Sequence, residues 1–128
     1  MPYLTLRESH GIYQKFWGRV ASPELFESLN AILDAPSFDS VHYVIKDYLD
    51  VELFDVGVKT LLEDMVLAMR SKRINRHIVV AIVTTNPEII DTGNAALSYR
   101  LDTYPREVFS RLDEARTWIA HVSQTQGA

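Results

Sequence analysis

The sequence predicts an α/β fold in which helices pack on one mixed β-sheet, in the order β-β-α-β-α-β-α-β-α. Three observations predict it. The chain opens with two strand-like segments joined by a short turn. Later apolar strand patterns then alternate with apolar residues at helical spacing. Two of the intervening helices also open on a polar cap, a proline and an acid, at Ser22-Pro23-Glu24 and Asn86-Pro87-Glu88. Proline suits the first helical position, and an acid suits the positive end of the helix dipole.

Residues 4–8 and 12–20 read as a hairpin turning at Ser9-His10-Gly11. Ile12, Phe16 and Val20 fall on one face of the second strand, and Tyr13, Lys15, Trp17 and Arg19 on the other. Ser22 is expected to cap the first helix, which buries Leu25, Leu29, Ile32 and Leu33 and stops at Asp34-Ala35-Pro36. Residues 41–45 are short, β-branched and apolar on both faces, as a central covered strand is. An acidic loop carrying Asp47, Asp50, Glu52 and Asp55 is expected next, and a helix opens at Gly57. Val58, Leu61, Leu62, Met65 and Met69 mark its buried stripe, and Arg70, Lys72 and Arg73 close it. Residues 78–83, IVVAIV, form the clearest buried strand. Ile89, Ile90, Ala96 and Leu97 mark the third helix, and residues 107–109 a short strand. Ser110 to Asp113 is a capping-box variant before a last helix with Leu112, Ala115, Ile119 and Val122 inward. Successive strands joined by helical crossovers run parallel, so the hairpin supplies an antiparallel edge.

These elements make a single domain over 1–122, with a flexible tail at 123–128. Its hydrophobic share of 47% and charged share of 23% are ordinary for a globular protein. With no cysteine, disulfides, thiolate metal sites and cysteine nucleophiles are excluded, which fits a reducing cytoplasm. The N-terminal segment does not read as a signal peptide, and the apolar runs are too short to insert in a membrane. A net charge of −4 argues against nucleic-acid binding.

Ligands of open α/β sheets collect at the carboxyl ends of the strands, so a site is expected at the acidic loop. Its carboxylates could attract a hard cation, but their spacing matches no calcium loop, and Asp55 can equally cap the next helix. Thr84 and Thr85, at the end of the IVVAIV strand, could line a cleft with Asp47 or serve as helix caps. The alternation of Tyr13, Lys15, Trp17 and Arg19 could stack bases; the expected arrangement instead packs the aromatics under a helix and lets the cations reach the rim. Arg70, Lys72, Arg73, Arg76 and His77 read as a helix end and a solvated turn. His42 reads as a hydrogen-bonded core histidine. No phosphate loop, dinucleotide fingerprint, nucleophile elbow or paired zinc histidines occur.

The segments GIYQKFWGRV, FDSVHYVIKDYLDVELFDVG, VVAIVTTNPEI and YPREVFSRLDEARTWI resemble the small bacterial SpoIIAA-like proteins, relatives of the STAS and Sec14-type folds. The resemblance implies a β/α sandwich of the anti-sigma-factor-antagonist type and brings no enzyme activity or cofactor with it. In phosphorylatable STAS antagonists an Asp-Ser pair opens a helix, and a partner kinase phosphorylates the serine. The matching stretch is Phe54-Asp55-Val56-Gly57, with Val56 in the serine's place, so a phosphoserine switch cannot operate there. The expectation is a non-enzymatic interaction module meeting a protein partner through Asp47, Asp50, Glu52, Asp55, Val56 and Gly57, with Thr84 and Thr85 nearby. The alternative is a carrier of a small lipid or nucleotide between the helices at 58–69 and 89–101. An exposed hairpin edge would favour a homodimer.

Overall fold

The computed structural model describes residues 2–126, with side chains through Val122. Strands β1 (Tyr3–Arg7) and β2 (Gly11–Ala21) form the expected hairpin. Helix α1 (Ser22–Leu33) leads through a 3₁₀ turn at Phe38–Ser40 to β3 (Tyr43–Asp55). Then come α2 (Val58–Ser71), β4 (Val79–Val83), α3 (Pro87–Leu97), β5 (Arg106–Phe109) and α4 (Leu112–Gln126). The sheet order is β1-β2-β3-β4-β5, antiparallel at β1–β2 and parallel elsewhere. Because the strands advance in one direction, right-handed crossovers place α1, α2 and α3 on one face. Helix α4 packs on the other, over β3, β4 and β5. No helix among the described residues is long and apolar enough to cross a membrane.

The three-helix face holds most of the core. Ile12, Val44 and Val80 meet Ile32, Phe38 and Tyr104 at one end, and Phe16, Val20, Tyr48 and Phe54 meet Leu25 and Ile89 at the other. On the α4 face, Ile45, Ala81 and Val83 pack against Ala115 and Ile119. At the hairpin, the Tyr43 ring occupies the space that a Cβ on Gly11 would need.

The acidic segment differs most from expectation. Asp47, Asp50, Glu52 and Asp55 lie in no loop; they belong to the 13-residue strand β3, paired with β2 as far as Ala21↔Asp55. The strand was hidden because its alternation breaks twice. Tyr48 and Leu49 together oppose Phe16, and Glu52 is extra between the pairs Gly18↔Val51 and Arg19↔Leu53. Each extra residue makes a bulge and resets which residues face inward. Gly18, beside the second bulge, has φ +64°, a left-handed conformation that glycine adopts without penalty.

Smaller differences concern caps. Ala21 occupies the cap position of α1, and the Ser22 hydroxyl lies 3.0 Å from that of Thr60 on α2. Asn86 caps α3 as expected, its Oδ1 accepting from the Glu88 N–H at 2.9 Å. At α4 the expected capping box does not form, for the Ser110 hydroxyl meets the Glu114 carboxylate at 3.4 Å and the Arg111 carbonyl accepts the first helical bond, from Ala115. Helix α4 continues through Gln126, and residues 127–128 of the expected tail lie outside the described residues.

Candidate functional site

Beyond Asp47, β3 has no β4 partner, so the distal halves of β2 and β3 extend past the rest of the sheet. One face of this ribbon is core. The other presents Lys15, Trp17 and Arg19 beside Asp47, Asp50, Leu53 and Asp55. Asp47 is only 2% exposed. Its Oδ2 accepts from the Tyr13 hydroxyl at 2.5 Å and its Oδ1 from the Leu49 N–H at 3.0 Å, holding the first bulge. Lys15 Nζ lies 2.8 Å from Asp50 and 3.8 Å from Asp47, and Arg19 pairs with Asp55 at 2.9 Å. The acids are thus matched by basic residues one strand away. Among the described residues, no group of three or more His, Asp or Glu side chains is placed to hold a metal ion.

Tyr13 packs toward α4, where the Arg116 guanidinium stands 5.7 Å from its ring centre. Burial and the bond to Asp47 push the Tyr13 hydroxyl pKa well up. Arg116 also pairs with Glu8 at 2.8 Å, which holds that carboxyl below the usual range. Trp17 differs from expectation, because α4 does not reach it and it stays 39% exposed. Leu4 and Leu6 of β1, paired with Lys15 and Tyr13, and Leu53 of β3 are exposed on the same face.

The remaining expected residues separate. Val56 is 7% exposed and packs in the core with Phe54 and Ile89. Gly57 caps α2, and Glu52 projects into solvent. Asp55 turns to Arg19 and does not cap α2. Thr84 is buried, its Oγ1 accepting from the Asn86 N–H at 3.0 Å, while Thr85 is exposed. Asp47 pairs with Val83 in register and shares its face, so Thr84, one residue on, turns to the α3 side and forms no cleft with Asp47. His42 is exposed, just ahead of β3, with its ring 6.0 Å from that of His10; it is not a core histidine.

Sequence reasoning missed a second constellation, on the three-helix face. A cavity of about 90 Å³ lies between the sheet and α1 and α2, lined by apolar side chains and by Lys46, Asp64 and Arg106. A lobe of about 60 Å³ adjoins it beneath α3, sharing Tyr48, Leu61, Ile82 and Arg106. Burial, with Arg106 nearby, pushes the Lys46 ammonium down to about 8. Burial pushes the Asp64 carboxyl up to about 6, against the pull of Lys46. The buried Arg106 Nε has no hydrogen-bond partner. The signal for Lys46 was present: the alternation Val44-Lys46-Tyr48 points a lysine inward.

Searches for a matching family model and for a matching curated protein find none. Solved structures do match. An anti-sigma factor antagonist from Mycobacterium paratuberculosis superposes with a TM-score of 0.57 at 16% identity, covering 92% of each chain. The fold is SpoIIAA-like. An uncharacterised protein of the DUF3478 family from Shewanella loihica PV-4, itself described as having a SpoIIAA-like fold, superposes with a TM-score of 0.54 at 13% identity, covering 91% of each chain. In this SpoIIAA-like chain, Asp55-Val56-Gly57 is the junction at which β3 ends and α2 begins.

Proposed function

We propose that the protein is a non-enzymatic interaction module that meets a protein partner on the α4-side face of β1, β2 and distal β3. The observation that supports this most is the exposed apolar strip of Leu4, Leu6, Trp17 and Leu53, whose members are between 39% and 48% exposed. Exposed apolar side chains interleaved with polar groups suit a protein contact, and exposed tryptophan is a favoured anchor. Here the polar groups are the two ion pairs Lys15–Asp50 and Arg19–Asp55. Asp50 and Asp55 thus contribute to the contact through these pairs, buried Asp47 shapes the strand beneath it, and Glu52 is the extra residue of the second bulge. Val56 acts from inside the core and carries no phosphorylatable hydroxyl, so binding here is not switched by phosphorylation at that position. The unpaired outer edge of β1 suits a second copy of the chain by strand pairing.

The experiment replaces Trp17 and Leu53 together by glutamate. The variant keeps the wild-type melting temperature within a few degrees and loses its partner. Undiminished binding would place the interface elsewhere. Substituting Val56 is no substitute for this test, because its side chain belongs to the core.

A second reading, small-ligand binding, is supported by the cavity between the sheet and α1, α2 and α3.

A further inference from the structure

The geometry points to a ligand site in that cavity for a compact apolar monocarboxylate, its carboxylate held between Lys46 and Arg106. The inference rests on the small-ligand reading and gives it a chemistry.

Lys46 lies on central β3 and Arg106 on edge strand β5, both on the three-helix face. Among the described residues, neither side chain makes a hydrogen bond or an ion pair. Both residues are half-buried, and of their side-chain nitrogens only the Arg106 Nε is closed to solvent without a partner. The Arg106 Nε is the sharper case. It is shut off from solvent with its donor unused, and orphaned buried donors are rare enough to call for a cause. A ligand carboxylate supplies what both side chains lack. Arginine's fork matches a carboxylate through two N–H donors, and a lysine ammonium adds a point charge from the side.

Charge and size narrow the ligand. The charged residues lining the two lobes are Lys46, Arg106 and Asp64. Two cations against one carboxylate leave one positive charge to be matched, which suits a monoanion better than a phosphate dianion or a nucleotide. The rest of the lining is largely apolar, with Leu29, Leu61, Met65 and Ile82 placed to hold a hydrocarbon body. Met65 adapts its shape to what it meets. The two lobes together are on the scale of the roughly 150 Å³ engineered cavity that takes benzene, so a benzoate-sized ligand fits and a phospholipid does not. Exposed Leu97 and Val108 mark an open side between α3 and β5.

The test titrates sodium benzoate and benzyl alcohol, at matched ionic strength, into the ¹⁵N-labelled full chain and into Lys46→Met and Arg106→Met. Melting temperatures confirm that the variants fold. The expected result is saturable shifts of β3, α2 and β5 amides with benzoate, at least about tenfold tighter than with benzyl alcohol. In either variant that preference falls to about threefold or less. Equal binding of the two compounds would keep the ligand cavity and overturn the carboxylate site. Absence of saturable shifts with either compound would overturn both.

Discussion

Lys15 on β2 stands opposite Asp47 on β3, yet its ammonium passes the buried carboxylate at 3.8 Å and settles on the exposed Asp50 at 2.8 Å. The two acids therefore do different work. Asp47 is held by the Tyr13 hydroxyl and the Leu49 N–H and fixes a bulge, while Asp50 closes the rim of an exposed face. Asp47→Ala should cost about 3 kcal/mol in urea unfolding, because it leaves the tyrosine donor and a backbone N–H unpaired. Asp50→Ala should cost no more than about 1 kcal/mol, as exposed ion pairs do.

The cavity charges give stability a pH signature. Asp64, raised to about 6 from an ordinary 3.8, binds its proton more tightly folded than unfolded. Its contribution is full below about pH 4 and is lost as pH rises through about 6. Lys46, lowered to about 8 from 10.5, penalises the fold below pH 8, and the penalty is relieved between about pH 8 and 10. Lys46 shares its cavity wall with Asp64, Arg106 and Tyr48, and the Asp64 charge offsets part of this penalty. Lys46→Met is therefore expected to stabilise the protein at pH 7 by about 1–2 kcal/mol, with an advantage that shrinks by pH 10. Thermal unfolding of both proteins across that range measures it.

Asn75 is a structural polar group of the core. Its Nδ2 donates to the carbonyls of Phe38 and Val41, each at 2.7 Å, and its Oδ1 accepts from the His77 N–H at 2.9 Å. Asn75→Ala should cost about 2–4 kcal/mol, since it strands two buried carbonyls and a part-buried N–H. Chemical denaturation checks this.

Two glycines of β2 should respond differently to alanine. Gly18→Ala meets no neighbour but must adopt a positive φ, at a cost of about 1–2 kcal/mol. Gly11→Ala meets the Tyr43 ring and should cost more, because the ring is held by its hydroxyl's bond to Glu8 and has to move. Comparing the two unfolding midpoints separates backbone strain from steric displacement.

Element order was readable in the sequence because β4 and the start of β3 are apolar runs and the helices between strands keep an apolar stripe, as with Leu25, Leu29 and Ile32. The second half of β3 was not. Two bulges shift its phase, and its acids resemble a solvated loop until Lys15 and Arg19 are seen to lie alongside them. Trp17 was expected under a helix, but no local pattern tells which strands α4 will cover. Asp47 and Thr84 lie near each other in register, yet face opposite sides of the sheet, a relation fixed by strand phase. Lys46 was visible as an inward lysine, whereas its companions Arg106 and Asp64 come from other elements and meet it only through the crossovers.

The most direct test of the interaction surface is native mass spectrometry of the chain purified gently from its host, beside the Trp17→Glu, Leu53→Glu variant prepared in the same way. The expected result is a stoichiometric additional polypeptide on the wild-type chain, and its absence from a folded variant. A bare wild-type chain, or the same complex on both proteins, would contradict it.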